Sequence, residues 1–192
     1  MMDEHCELFG TSSGRIELLN SAAPAFFRII QDSLWEDVLL SISRLTDGSK
    51  SCGKSNLTVN ALAKLLPDKS FRDSIDDLAR QATAAAEFAR DWRNRRIAHR
   101  DLGVALGETL KPLSPASRKM VKEAIAALHQ VLNAVSEKYL HSTRVDFVVT
   151  PMTGAAALLR VIRDGVDTER NRQEGIRSGN FMKGDITPPN SI

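Results

Sequence analysis

The sequence predicts an all-α protein, a helical bundle with an additional C-terminal helix and a flexible tail. Apolar residues recur at spacings of three and four along several long segments, which places them on one face of a helix. The aliphatic composition includes only 11 glycines and 5% aromatic residues, whereas a sandwich or barrel needs many short strands separated by turns. The 192 residues suffice for one buried core with some appendages.

The first predicted helix starts near Pro24 and ends in Arg44-Leu45-Thr46-Asp47, where Gly48 stops the pattern. Pro24 suits the first turn of a helix, where a missing backbone N–H costs nothing. The apolar residues of this segment share one helical face: Phe27, Ile30, Leu34, Val38, Ile42 and Leu45. A shorter helix is predicted within Leu57–Leu66, because Pro67 cannot continue a helix without the loss of a hydrogen bond.

The most regular apolar stripe lies in the middle of the chain and predicts a second long helix. Its residues alternate at spacings of four and three: Phe71, Ile75, Leu78, Ala82, Ala85, Ala89 and Trp92. Continuing the stripe reaches Arg96 and His99, and Gly103 offers a stop just beyond them. The arginine-rich stretch Arg93–His99 is therefore predicted at the end of a helix.

A third long helix and a peripheral fourth helix follow. Ser114 and Pro115 predict a helix start, as an N-cap followed by proline at the first helical position. The apolar stripe of this helix is Val121, Ala124, Leu128, Val131, Val135 and Tyr139. Residues 1–150 are assigned to the bundle, 151–172 to an accessory helix, and 173–192, rich in Gly, Ser, Asn and Pro, to a flexible tail.

The composition excludes several classes of protein. With 26 basic and 24 acidic residues the net charge is +2, so the chain is not a general nucleic-acid coat protein, and any site for a polyanion is local. Cys6 and Cys52 are too few for a disulfide scaffold. Charged residues interrupt every stretch that approaches the roughly 20 apolar residues of a membrane span. With no signal segment at its start, we expect a cytoplasmic protein without a membrane partner.

Residues Gly48–Ser55 match the phosphate-loop pattern G-x-x-x-x-G-K-[ST]. That loop works when it leaves a buried strand and enters a helix whose N-terminal amides cradle the phosphates. Here a predicted amphipathic helix ending in Arg44-Leu45-Thr46-Asp47 precedes the pattern, and no alternation of strands and helices supplies a parallel sheet. We interpret the segment as an exposed loop, and a phosphate-loop NTPase is the weaker alternative.

Arg93 and His99 are the strongest candidates for a functional pair. His99 continues the stripe of Phe71–Trp92, and a polar pair on a packing face is costly without a purpose. On an unbroken helix two side chains six residues apart diverge by roughly 120°. Their convergence on one phosphate therefore requires a break or tightening of the helix near Ile97, or a second subunit that contributes its own His99.

The residue types suit RNA cleavage without a metal. His99 can exchange protons near neutral pH with the ribose 2′-hydroxyl or the leaving 5′-oxygen. The guanidinium of Arg93 can bind the negative charge of a phosphorane-like transition state through two hydrogen bonds, with Asn94 as an orienting donor. No metal and no cofactor are predicted, because the remaining histidines lack ligand-spaced partners: His5, His129 and His141.

Further arginines extend this cationic stretch and are predicted to bind flanking RNA phosphates: Arg90, Arg95, Arg96 and Arg100. Such contacts make binding strongly dependent on salt, because each one releases condensed counterions. The alternative is that Arg95 and Arg96 pair with Asp91 or Asp101 on a solvated helix, with His99 a satisfied histidine at its edge.

The arrangement Arg93-Asn94-x-x-x-x-His99 at the end of a helix in an all-α chain resembles the signature of the HEPN superfamily. Other segments between about residues 8 and 102 are similar to its abortive-infection AbiU-like branch. These segments are Phe26-Phe27, Leu34-Trp35, Ser43-Arg44-Leu45-Thr46-Asp47, Asn56-Leu57-Thr58 and Ala98-His99-Arg100-Asp101. The resemblance implies an up-and-down bundle that dimerises so that two arginine-histidine motifs line one cleft, with metal-independent endoribonuclease activity in many members.

The family signature assigns roles to Arg93, Asn94 and His99 only. Arg44 and Asp47 belong to the pattern of the branch, and we predict that they form a structural ion pair that braces two helices. The leading hypothesis is a toxin or phage-defence effector that cleaves single-stranded RNA or tRNA, with RNA, a second copy of the chain and an antitoxin protein as partners. The alternative is a non-catalytic HEPN module that binds a protein or a nucleotide.

Overall fold

The computed structural model describes residues 1–10, 12–51, 53–97, 106, 112–143 and 153–186, without the side chains of 183 and 184. The helices are α1 (Met2–Leu8), α2 (Ser13–Ala22), α3 (Pro24–Leu45), α4 (Val59–Leu62), α5 (Lys69–Ala85), α6 (Glu87–Trp92), α7 (Arg118–Leu140), α8 (Ala155–Ser178) and α9 (Lys183–Ile186). The other elements are a 3₁₀ turn (Ala63–Leu65), a π-helix (Arg93–Ile97) and the antiparallel strands β1 (Lys50–Ser51) and β2 (Lys54–Ser55). The predicted all-α fold is confirmed.

The chain divides into two compact units. Unit 1 comprises the described residues of Met1–Trp35 and Val148–Ile192, and unit 2 comprises those of Glu36–Phe147. The bundle boundary predicted at 150 lies outside the described residues. Among the helices that the structure describes, none is both long and apolar enough to cross a membrane.

The core of unit 2 lies where α5 packs on α7. The buried residues of this core are Val59, Ala63, Leu66, Ile75, Ala79, Ala82, Leu128 and Val131. Ile75 and Val131 are fully buried, and each belongs to an apolar stripe that the sequence predicts. Asp68 caps α5 by accepting the backbone N–H of Phe71, and its other carboxylate oxygen lies 2.6 Å from Nζ of Lys138 on α7. Helix periodicity therefore identifies the two faces that meet.

The predicted continuous helix Phe71–Trp92 is interrupted at Ala86. Ala86 has φ −96° and ψ 3°, outside the α-helical region. Its N–H lies 3.1 Å from the carbonyl oxygen of Ala82 and 3.3 Å from that of Thr83, so α5 tightens as it ends. Helix α6 starts immediately afterwards at Glu87. The arginine-rich segment therefore lies beyond this interruption, on α6 and the π-helix that follows it.

Helix α7 begins later than the Ser114–Pro115 signal predicts. Its first residue is Arg118 and its N-cap is Ser117, whose hydroxyl accepts a 3.2 Å backbone hydrogen bond from the first turn. Ser114 has other partners: its N–H donates to the carboxylate of Asp91 at 2.8 Å, and its carbonyl accepts from the indole of Trp92 at 2.7 Å. These bonds attach the segment before α7 to α6, and Ser117 takes the capping role.

In unit 1, α8 contacts α1 and α2. The buried residues of its core are Leu8, Phe9, Leu19, Phe27, Ala155 and Leu159. The carboxylate of Glu4 accepts the backbone N–H of Ala155 at 2.7 Å. A negative charge at this helix start satisfies one of the free N–H groups and opposes the positive end of the helix dipole.

The flexible tail predicted from residue 173 is corrected, because α8 continues to Ser178. Gly179 ends the helix with φ +77°, a left-handed conformation that glycine adopts without a side-chain clash. The N–H of Asn180 then bonds to the carbonyl of Gly175 at 2.9 Å, which is the C-terminal capping pattern of helices. The glycines that indicated a tail therefore belong to a helix end.

Candidate functional site

The predicted motif begins on an irregular turn in unit 2. Arg93–Ile97 form a π-helix that continues α6, in which each turn is wider than in an α-helix. Turns of this kind occur frequently at functional sites. From the sequence we expect either a break or tightening of the helix near Ile97 or a second subunit that contributes its own His99; the described turn Arg93–Ile97 is widened, not tightened. His99 and Arg100 lie outside the described residues.

The guanidinium of Arg93 has two partners. Its Nη1 pairs with Oδ2 of Asp47, and its Nε donates to Oδ1 of Asn94 at 3.0 Å. Only 23% of the Arg93 side chain is exposed. Two edges of the guanidinium are therefore held, while part of the group stays accessible to a ligand.

Asp47 lies just beyond the end of α3, and this position corrects the predicted ion pair with Arg44. The Asp47 carboxylate pairs with Arg93 through Oδ2, and its Oδ1 lies 3.9 Å from Nε of Arg90. Arg44 is exposed, and none of the salt bridges observed between described residues includes it. The physical reason is that the helix ends at Leu45, so the i, i+3 spacing of an unbroken helix does not apply to Asp47.

A polar network, which sequence reasoning missed, fixes the backbone that carries Asp47. The amide nitrogen of Asn60, on α4, lies 3.0 Å from the carbonyl oxygens of both Thr46 and Asp47. It also lies 3.1 Å from the hydroxyl of Thr83 on α5. Arg90 donates to the Thr46 carbonyl at 3.0 Å. No periodic pattern in the sequence could identify these partners, because they come from three separate helices, α4, α5 and α6.

Three of the predicted RNA-binding arginines are described, and their surroundings differ. Arg90 forms an ion pair with Glu87 at 2.8 Å and donates a hydrogen bond to the carbonyl of Thr46. Arg95 pairs with Asp91 at 3.5 Å and donates to the carbonyl of Pro112 at 3.2 Å. Their side chains are 23% and 17% exposed. The ion pair between Arg95 and Asp91 is one that was predicted from the sequence as the alternative to phosphate binding.

Arg96 is the most accessible of these three arginines, with 53% of its side chain exposed. Its guanidinium carbon lies 5.2 Å from the centre of the Trp92 ring, within the range of a cation–π interaction. Among the residues that the structure describes, Glu36 forms an ion pair with Arg96 at 3.9 Å. Of these three arginines, Arg96 is therefore the one whose side chain is most open to solvent.

The carboxylate of Asp91 connects the motif helix to the segment before α7. Burial raises the pKa of Asp91, but hydrogen bonds from Ser114 and the adjacent charge of Arg95 outweigh burial, and the pKa lies below its ordinary value of 3.8. Asp91 is therefore ionised at neutral pH and holds both partners. This arrangement gives Arg95 a structural contact next to the motif.

The phosphate-loop pattern Gly48–Ser55 has a different structure from a phosphate loop. Its described residues form the hairpin of β1 and β2, with Gly53 at φ +78° in the turn. The side-chain amide of Asn56 donates to the carbonyl of Gly48 at 3.0 Å and closes the hairpin. The next helix begins only at Val59, so the loop does not lead directly into a helix N-terminus as phosphate binding requires.

Among the residues that the structure describes, no group of three or more His, Cys, Asp or Glu side chains could hold a metal ion. His5 is buried in unit 1 beside the rings of Phe9 and Trp35, with centroid distances of 5.4 Å. His141 ends α7 in a left-handed conformation, with φ 48°. His5 therefore packs against aromatic rings of unit 1, and His141 forms the C-cap of α7.

The all-α chain, with Arg93 and Asn94 on the described π-helix and a histidine at position 99 of its sequence, belongs to the HEPN class of helical domains. Within that class the chain is a member of the AbiU2 family, whose family model (HEPN_AbiU2) matches residues 1–153. No curated protein and no solved structure was found to match the chain. Helix α8 lies beyond the matched residues.

Proposed function

We propose that this AbiU2-family protein is a metal-independent endoribonuclease, acting as a toxin or phage-defence effector on single-stranded RNA or tRNA. The observation that carries the proposal is the guanidinium of Arg93, held by Asp47 and Asn94 on a π-helical turn, six residues before His99 in the sequence. An arginine held in place and only partly exposed is suited to bind a phosphate in one orientation.

The proposed reaction is attack of the ribose 2′-hydroxyl on the adjacent phosphorus. The O2′–P bond forms, the P–O5′ bond breaks, and the products are a 2′,3′-cyclic phosphate and a 5′-hydroxyl. His99 moves the proton between the 2′-oxygen and the leaving 5′-oxygen, because imidazole titrates near neutral pH. Arg93 stabilises the charge on the non-bridging oxygens.

Asn94 is suited to orient the substrate. Its Oδ1 accepts the hydrogen bond from Nε of Arg93, which leaves its Nδ2 group to donate elsewhere. The Asn94 side chain is exposed, so a bound phosphate or ribose can reach it. Arg96 supplies a further accessible cation for a neighbouring phosphate.

The site is proposed to form in a homodimer, in which Arg93 of one subunit and His99 of the other act on one phosphate. Mixing Arg93→Ala with His99→Ala subunits tests this directly, because each mixed dimer then contains one intact composite site. Random exchange should restore about a quarter of wild-type activity by the symmetry of a two-fold dimer. Absence of any recovery in verified mixed dimers contradicts the composite site.

The catalytic assignment is tested with Arg93→Ala and His99→Ala separately, in cleavage of total RNA and in growth inhibition. Each should lower kcat by about 10²-fold or more, the range measured for general acid–base groups and charge-stabilising donors. Matched controls are Arg80→Ala, an exposed arginine of α5 with 74% of its side chain accessible, and His141→Asn at the end of α7. Cleavage that persists in both test variants overturns the assignment.

The biological role is tested by co-expression. A chain that inhibits growth through RNA cleavage should be neutralised by an antitoxin protein that binds it, and the His99→Ala variant should bind the same protein without being toxic. If the purified wild-type chain is folded and binds RNA or a protein but produces no cleavage, the protein is a non-catalytic binding module instead.

A further inference from the structure

We infer that Asp47 is a positioning residue for Arg93, an inference that rests on the proposed function. Asp47 and Arg93 are separated by 46 residues in sequence, yet the carboxylate Oδ2 pairs with Nη1 of the guanidinium. Both side chains are largely shielded, with 29% and 23% of their surface exposed. A charge-assisted hydrogen bond in such surroundings is stronger than an exposed ion pair and fixes the plane of the guanidinium.

The inference depends on Asp47 being held in place itself. Asn60 donates to the backbone carbonyls of Thr46 and Asp47, both at 3.0 Å, and Arg90 donates to the Thr46 carbonyl at 3.0 Å. The hydroxyl of Thr46, a fully buried residue, donates to the carbonyl of Ile42 in the last turn of α3 at 2.9 Å. The backbone beside the carboxylate is therefore attached to α4 and α6, and Asp47 has little freedom to follow a moving arginine.

Asp47 and Asn94 bind different edges of the Arg93 guanidinium, and this arrangement gives Asp47 a positioning role. Asp47 binds Nη1 and Asn94 binds Nε, so the pair constrains the arginine from two directions. The remaining N–H groups stay available for a phosphate. If Asp47 merely occupied Arg93 in competition with RNA, removal of the carboxylate would instead free the arginine and strengthen RNA binding. The two roles therefore predict opposite effects of one substitution.

The test is Asp47→Asn in the full chain, with Asp47→Glu and with Asp77→Asn as the matched control. Asp77 is an exposed carboxylate on α5 that pairs with Arg80, and 61% of its side chain is accessible. For Asp47→Asn we expect kcat to fall about tenfold to a hundredfold with KM nearly unchanged, because misplacing a catalytic group by about 1 Å has effects of this size. Asp47→Glu should recover part of the loss, and Asp77→Asn should leave kcat unchanged.

A second readout does not depend on activity. In the wild-type chain the Nε–Hε proton of Arg93 should exchange slowly with solvent, because the guanidinium is held at two edges. Its NMR resonance is identified by its absence in Arg93→Lys. In Asp47→Asn this proton should exchange at least about tenfold faster, while the melting temperature changes by only a few degrees.

The two readouts separate the inference from the proposed function. If wild-type protein cleaves RNA but Asp47→Asn retains kcat within about twofold or gains RNA affinity, Asp47 does not position Arg93 and the endoribonuclease proposal still holds. If wild-type protein does not cleave RNA, the proposed function fails, and an unchanged Arg93 exchange rate in Asp47→Asn then also overturns the positioning role. Faster exchange in Asp47→Asn together with loss of kcat supports both.

Discussion

Replacing Asp91 with alanine should destabilise the protein without touching the residues proposed to bind the reacting phosphate. The Asp91 carboxylate accepts the Ser114 N–H at 2.8 Å and pairs with Arg95 at 3.5 Å. Only 19% of the Asp91 side chain and 17% of the Arg95 side chain are exposed. The alanine variant therefore leaves a shielded N–H donor and a shielded guanidinium without their shared acceptor.

The size of the effect follows from these contacts. A hydrogen bond to a charged group contributes about 1.5 to 3 kcal/mol to stability, and most of the loss comes from the Ser114 bond. The Arg95 pair is longer and adds less. A loss of about 2 to 3 kcal/mol in a chain of this length corresponds to a fall of about 4 to 12 °C in melting temperature.

The pH dependence gives this prediction a second, independent check. The folded-state pKa of Asp91 is lowered, so its contribution to stability is fully present above the ordinary pKa of 3.8 and is lost as pH falls through the folded-state value. The difference between wild type and Asp91→Ala should therefore stay constant from about pH 8 to pH 5 and shrink below about pH 4.

The assay is thermal unfolding followed by circular dichroism at a series of pH values. Asp77→Ala is the control, because the Asp77 carboxylate is 61% exposed and surface ion pairs contribute only about 0 to 1 kcal/mol. A melting temperature of Asp91→Ala within about 1 °C of wild type at neutral pH refutes the reasoning. So does a difference that grows as the pH falls below about 4.

Three further predictions concern packing, helix α8 and RNA binding. Ile75→Ala should lower the free energy of unfolding by about 2 to 5 kcal/mol, because Ile75 is fully buried. The control Leu57→Ala, at a residue that is 90% exposed, should change the free energy of unfolding by less than about 0.5 kcal/mol. Urea denaturation measures both values. Gly165→Ala should stabilise α8 by about 0.5 to 1 kcal/mol, because a methyl group there meets no atom within 4 Å. Gly175→Ala should destabilise α8, because the added carbon would lie 2.7 Å from a backbone oxygen. Hydrogen exchange of the α8 amides should therefore become slower in the first variant and faster in the second. Arg96→Ala should reduce the slope of log binding constant against log salt for single-stranded RNA by about 0.7, as expected for one lost phosphate contact, and an unchanged slope would count against that contact.

The sequence predicted the parts of the fold that depend on periodicity. The stripes of α5 and α7 are readable because burial on one face of a helix imposes a spacing of three and four, and Ile75 and Val131 are buried as that spacing requires. Helix α2 was not predicted, because its apolar residues do not concentrate on one face. The interruption at Ala86 was also missed, since alanine is a strong helix former and gives no stop signal.

Local signals failed where tertiary contacts compete for the same groups. Both Ser114 and Ser117 have the character of an N-cap, and the structure uses Ser117 because the backbone of Ser114 is bonded to Asp91 and Trp92. The glycines at 175 and 179 indicated a tail by composition, although one of them ends α8 in a left-handed conformation. Composition does not distinguish these two uses of glycine.

For the candidate site, the sequence identified the residue types but not all of their partners. Arg93, Asn94 and Asp47 were all singled out, yet Asp47 was assigned to Arg44, its near neighbour in sequence, instead of Arg93. The pairing of Asp47 with Arg93 depends on how the end of α3 meets α6, which one sequence without a fold does not specify. Asn60 was missed for the same reason.

The chemistry of the cleavage products tests the central claim most directly. Purified full-length protein is incubated with a single-stranded RNA in excess chelator, and the ends of the products are identified by mass spectrometry. We predict 2′,3′-cyclic phosphate and 5′-hydroxyl ends, formed by wild-type protein and absent with His99→Ala, because the 2′-hydroxyl is the nucleophile and imidazole moves its proton. No cleavage in chelator, or products with 3′-hydroxyl and 5′-phosphate ends, would contradict the proposed mechanism.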